Sequence, residues 1–93
     1  MGNEKKYVVY MNWLSNELLK GSALFVLILL FNNCDDSFAC YMSNEEIAAE
    51  RGLSVRSVQR SLAELEALGY IERELLHDGF YNRKIKMTAK IYE

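Results

Sequence analysis

The sequence predicts a mainly α-helical domain of the α+β class, with a three-helix core and a β-hairpin that makes a sheet of two or three strands. Three observations predict it. An unbroken apolar run from Ala23 to Phe31 reads as a buried helix, and two capped helical segments follow, separated only by Gly52-Leu53-Ser54. Two alternating strands then close the chain over residues 70–88. With 93 residues there is room for one hydrophobic core, so residues 1–93 are expected to form a single domain.

The first clear helix opens at Gly21-Ser22, with Ser22 as its expected cap, and stops at Asn32-Asn33. Its residues Leu24 to Phe31 are apolar all the way round, whereas a surface helix of a small domain keeps a polar stripe. This helix therefore needs cover on both sides. The segment 1–20 can supply part of it through Tyr7 to Met11, Trp13, Leu14, Leu18 and Leu19, packing on the domain or on a dimer partner. A second protomer is the candidate for the remainder.

Asp35-Asp36-Ser37 marks a loop, and Cys40-Tyr41-Met42 reads as a short extended stretch. Ser43 then stands three residues before Glu46, the capping-box spacing in which hydroxyl and carboxylate each satisfy a backbone N–H at a helix start. The helix runs from Asn44 to Arg51. Gly52 supplies the left-handed geometry that ends helices, and Ser54 caps the next one only two positions later. In this helix, over 54–68, Val58, Leu62, Leu65 and Leu68 form one buried stripe, while Arg56, Gln59, Arg60, Ala63 and Glu64 face elsewhere.

Gly69 closes the helix, and Tyr70 to Leu76 reads as a strand with Ile71 and Leu75 on one face and Glu72 and Glu74 on the other. His77-Asp78-Gly79-Phe80 is the turn, and Tyr81 to Thr88 the return strand. Placing Ile71 opposite Met87 sets Glu72 against Lys86 and Glu74 against Lys84. Apolar pairs and opposite charges then match together, and a slip of one residue breaks both.

Composition narrows the function. The chain is 51% hydrophobic and 26% charged, as globular domains are, and its net charge of −2 argues against a protein that coats nucleic acid by charge alone. The charge is uneven, however. Residues 1–50 hold three basic and seven acidic groups, and residues 51–93 hold eight basic and six acidic. Gly79 to Tyr92 contains Arg83, Lys84, Lys86 and Lys90 without a single acid, so an anionic partner is expected there. The apolar run spans only about half a bilayer core and no leader precedes it, so the expectation is a soluble, cytoplasmic protein that does not enter a membrane. Cys34 and Cys40 lack ligand-spaced neighbours and read as thiols, with a disulfide or metal site as the alternative. One histidine, no phosphate-cradling glycine loop and no nucleophile motif argue against an enzyme, and no cofactor or small-molecule ligand is inferred.

A short helix, a tight glycine turn, a second helix with polar residues at its start and then a β-hairpin is the order of a winged helix-turn-helix. The segments Asn12-Trp13-Leu14, Ala23 to Phe31, Met42 to Ala48, and Leu53 through Leu62 to Gly69-Tyr70-Ile71 resemble the winged-helix domains of plasmid and phage replication initiators, primosomal replication proteins and bacterial transcription regulators. The resemblance covers roughly residues 12–88. It implies that the helix over 54–68 is a recognition helix and the hairpin over 70–88 a wing. Double-stranded DNA is then the partner, read by a homodimer in replication initiation or transcriptional regulation.

The major groove admits one helix, whose first turns reach base edges, so Arg56, Ser57, Gln59 and Arg60 are the candidate readers. Arg56 and Arg60 can each make two parallel hydrogen bonds to guanine, Gln59 can do so with adenine, and Ser57 suits a phosphate or a base. Ser54 is occupied as a cap but can bring a backbone N–H to a phosphate. In the wing, Arg83, Lys84 and Lys86 are candidates for phosphates or the minor groove, with His77 near the tip. Arg83, outside the expected ion pairs, is the freest of the three. Tyr70, Phe80, Tyr81 and Tyr92 could stack on unpaired bases or simply pack. The acidic balance and the fully apolar helix leave open a protein–protein interaction module of winged-helix shape that does not bind DNA.

Overall fold

The computed structural model describes residues 7–77, 79 and 81–93. The expectations for residues 1–6, Asp78 and Phe80 lie outside the described residues. A single turn, α1 (Met11–Leu14), precedes α2 (Ser22–Asn32), which is the apolar run. Val26, Leu27, Leu29 and Leu30 are fully buried, and burying each such side chain stabilises the fold by about 1.5–3 kcal/mol. Trp13 and Leu19 close over α2, and Phe31 meets Tyr10 and Trp13 edge to face at 5.5 Å each. The Trp13 Nε1–H donates to the carbonyl of Ile91 at 2.8 Å, joining the start of the chain to a closing 3-10 turn at Ala89–Tyr92. The chain thus covers α2 itself, except at the half-exposed Phe25, and a second protomer is not needed for that.

Two expectations about this region are corrected. Ser22 is the first helical residue and not the cap; Gly21 holds that position at φ +65°, and no side chain caps α2. Of the proposed cover, Met11, Leu14 and Leu18 are largely exposed, because the short α1 and the turn after it direct only Trp13 and Leu19 inward.

The capping box forms as the spacing predicts: the Glu46 N–H donates to Ser43 Oγ at 3.1 Å, and the Ser43 N–H donates to Glu46 Oε1 at 2.9 Å. It opens α3 (Asn44–Arg51), which ends at Gly52 with φ +64°, and Ser54 caps α4 (Val55–Ala67) by accepting from the Ser57 N–H at 3.0 Å. Val58, Leu62 and Leu65 are fully buried, and Ser61 joins them. Leu68 is only half-buried, because α4 has ended and the chain is already turning through Gly69 at φ +90°.

The sheet has three antiparallel strands in the order β1 (Ala39–Cys40), β3 (Arg83–Met87), β2 (Ile71–Leu75). The β2–β3 register is the predicted one, with Ile71 opposite Met87, Glu72 opposite Lys86 and Glu74 opposite Lys84. The extended stretch near Cys40 is the third strand, one residue earlier than read from sequence, with Ala39 opposite Lys86 and Cys40 opposite Ile85. Leu75 corrects the face assignment: it shares the alternation of Ile71 but is 73% exposed, since the hairpin there carries β2 past the core cluster that holds Ile71, Ile85 and Met87. Helices α2, α3 and α4 with this sheet make a winged helix-turn-helix.

Candidate nucleic-acid interface

Helix α4 is divided lengthwise. Val58, Leu62 and Leu65 lock one side into the core, which forces Arg56, Gln59 and Arg60 outward into solvent. Ser57 is half-buried beside Ser54, whose hydroxyl both accepts from the Ser57 N–H and donates to Ser57 Oγ at 3.1 Å. The helix start is thereby held, and Arg56, Gln59 and Arg60 leave it on a fixed backbone. The tight turn before it is held by the Leu53 N–H donating to the Ala48 carbonyl at 3.0 Å, which sets α4 against α3.

The wing residues sit on β3, the central strand. Lys84 and Lys86 alternate with the buried Ile85 and Met87 and so share its solvent side. Lys84 is half-buried and its Nζ lies 3.3 Å from Glu74 Oε1 across the ladder, while Lys86 is exposed opposite Glu72. Arg83 is placed differently from the sequence expectation. Its guanidinium is half-buried and donates to Asn44 Oδ1 and to the Met42 carbonyl, both at 2.7 Å, so it ties the wing to the start of α3. Burial pulls this group below its ordinary value, but an arginine stays charged throughout the useful pH range.

A second, unpredicted pair links α4 to β2: Arg73 donates through Nε and Nη2 to one Glu66 oxygen, at 3.1 and 2.7 Å, and holds that carboxylate below the usual range. Of the aromatic residues considered as base platforms, Tyr70 is a core residue, 1% exposed, whose hydroxyl accepts from Asn16 Nδ2 at 2.8 Å. Tyr81 stands out from the wing stacked on Tyr41, with centroids 4.6 Å apart, and the exposed Tyr92 packs edge to face against Tyr10 and Phe38. His77 is exposed, next to the hairpin turn.

Sequence reasoning missed the Arg83 tether, the Glu66–Arg73 pair, and a small polar pocket where Lys20 and Ser22 face Ser57, Arg60 and Ser61. The Arg83 tether and the pocket join residues at least 35 positions apart, and the Glu66–Arg73 pair spans the turn from α4 into β2, so no helix or strand period announces any of them. Both cysteines are free thiols, raised above their ordinary value by burial. Among the described residues, no helix is long and apolar enough to cross a membrane.

No curated protein and no solved structure matches the chain. A model of the helix-turn-helix domain family matches residues 16–71, from the turn before α2 to the first residue of β2. That stretch is more than half of the chain and contains the whole helical core, and the family's partner is DNA. On this match and the geometry of α3 and α4, the chain belongs to the helix-turn-helix domain family.

Proposed function

We propose that the chain binds double-stranded DNA sequence-specifically, with α4 in the major groove and the wing against the backbone. The carrying observation is the division of α4: its apolar side is immobilised in the core, and Arg56, Gln59 and Arg60 project from the turns nearest its N-terminus. Arg56 and Gln59 then have the donor and acceptor sets to read guanine and adenine edges, with Ser57 and Arg60 beside them. Lys86 is the exposed wing cation for a phosphate, Lys84 shares its charge with Glu74, and Arg83 positions the wing by holding α3.

The role is non-enzymatic and lies in replication initiation or transcriptional regulation. The binding form is a homodimer on two half-sites, supported by Met11, Leu14 and Leu18, which leave an apolar patch on the N-terminal segment. Selection of bound duplexes from a random pool tests specificity and symmetry together. A recovered two-fold motif is expected, with Arg56→Ala relaxing preference at one position. Recovery of no motif, or unchanged preference in Arg56→Ala, overturns base reading by α4. Sedimentation of a monomer at high micromolar concentration, with and without duplex, removes the dimer.

A further inference from the structure

Where α2 starts, the chain leaves polar groups without partners. Helix α2 has no side-chain cap and no acid in its first turn, so its leading N–H groups have neither an intrahelical acceptor nor a substitute, and they carry the positive end of the helix dipole. A pocket of roughly 200 Å³ opens there, between α2 and α4, lined by Lys20, Ser22, Ser57, Arg60, Ser61 and Glu64. Ser61 is the independent sign of a ligand. It is 96% buried (4% exposed), faces this pocket, and its hydroxyl has no hydrogen-bond partner among the described residues. With no partner among the described residues and its side chain on the pocket wall, this hydroxyl is available to a guest in the pocket. Lys20 and Arg60 supply cations, Ser22, Ser57 and Ser61 hydroxyls, and α2 free N–H groups. Against them stands one carboxylate, Glu64. The two cations and the helix N–H groups can only donate and the three hydroxyls can turn to donate, which favours an acceptor-rich, negatively charged guest.

We propose that this pocket is an oxyanion site that seats one phosphate of the DNA backbone. In naming DNA as the source of the phosphate, the proposal rests on the duplex-binding reading above. It also reassigns Arg60: the arginine that shares this pocket with Lys20 holds backbone, and base reading passes to Arg56 and Gln59. The clamp grips the duplex at a point set by the start of α2.

Two arms test it on the full chain. Inorganic phosphate is titrated into the isotope-labelled protein at constant ionic strength against chloride. Saturable shifts are expected at the backbone amides of Ser22, Ala23, Ser57 and Ser61, and they should be lost in Lys20→Gln and reduced in Ser61→Ala. Ser61→Ala is expected to melt no lower than wild type, since it removes an unpaired hydroxyl, so its loss of phosphate cannot be put down to unfolding. In the second arm, duplex affinity is measured against salt, and Lys20→Gln is expected to flatten the log–log slope by about 0.9, the value of one phosphate contact, equally for preferred and random duplexes. Absence of phosphate-specific shifts at those amides overturns the site. Shifts with an unchanged duplex slope overturn DNA as the source and leave a free phosphate. If the wild-type chain binds no duplex, the duplex reading falls, and the pocket stands or falls on the phosphate arm alone.

Discussion

Helices α2 and α4 lie side by side in the core and are of similar length, yet they are built on opposite rules. Along α2, Ala23 and Val26 through Leu30 are buried, so the helix has almost no free lateral face and its length is given to packing. Along α4, buried and exposed residues alternate at helical spacing, and the exposed ones cluster near the N-terminal end as arginine, glutamine and arginine. Burial therefore separates the residues that build the domain from those left over to meet a partner. A protein of net charge −2 can thus belong to a helix-turn-helix family while exposing Arg56 and Arg60 together on one helix face.

The sharpest way to break this contrast is to exchange the consequences of substitution. Leu29→Ala in α2 should cost about 2–5 kcal/mol in denaturant unfolding, because the site is closed on every side and cannot collapse onto the cavity. Duplex affinity of the folded fraction should stay unchanged. Arg56→Ala in α4 should do the reverse, with stability within about 0.5 kcal/mol of wild type and about 1–3 kcal/mol less discrimination between preferred and random duplexes. A large stability loss there would mean that the outer face of α4 is structural.

Smaller effects sharpen the boundary between the two roles. Ser43→Ala removes one half of the capping box of α3 and should lower stability by about 1 kcal/mol, read as a shift of the unfolding midpoint at constant slope. Glu74→Gln breaks the exposed pair with Lys84 and should change stability by less than about 1 kcal/mol. Duplex affinity should rise at low salt as the lysine is freed, and no rise would place Lys84 outside the interface. The least effect is one of pH. Burial, and for Cys34 also the neighbouring Cys40, raises both thiols above the ordinary 9.0, so the folded chain holds these protons more tightly than the unfolded chain. Stability from this source is complete below pH 9.0 and declines above it, and alkylation at neutral pH should be slower than for a free thiol, with Cys40 the slower of the two. Alkylation at the rate of an unhindered thiol would contradict the packing around β1.

Much of the fold that positions the candidate site was legible before the structure because its signals are short-range. Ser43 and Glu46 stand in one turn of helix, Gly52 and Ser54 are two residues apart, and the hairpin register follows from charges that can pair in only one alignment. The same reasoning misjudged Leu75 and Leu18. Alternation and apolarity say which way a side chain leaves the backbone, but not whether anything lies there to cover it, and both residues are exposed.

By itself, then, the sequence determined the order of α2, α3 and α4, the capped starts of α3 and α4 and the turn between them, the strand register and the polar face of α4, because each is set by groups within a few residues or by a simple period. Only the tertiary structure decided what the remaining polar groups do. Arg83, free on paper, is bound to Asn44 and Met42. Trp13 reaches Ile91 across nearly the whole chain, and Lys20 and Ser61 line one pocket at the uncapped start of α2. These meetings join positions that no local pattern relates, and they exist because packing α2 against α4 and the sheet brings those positions to one place.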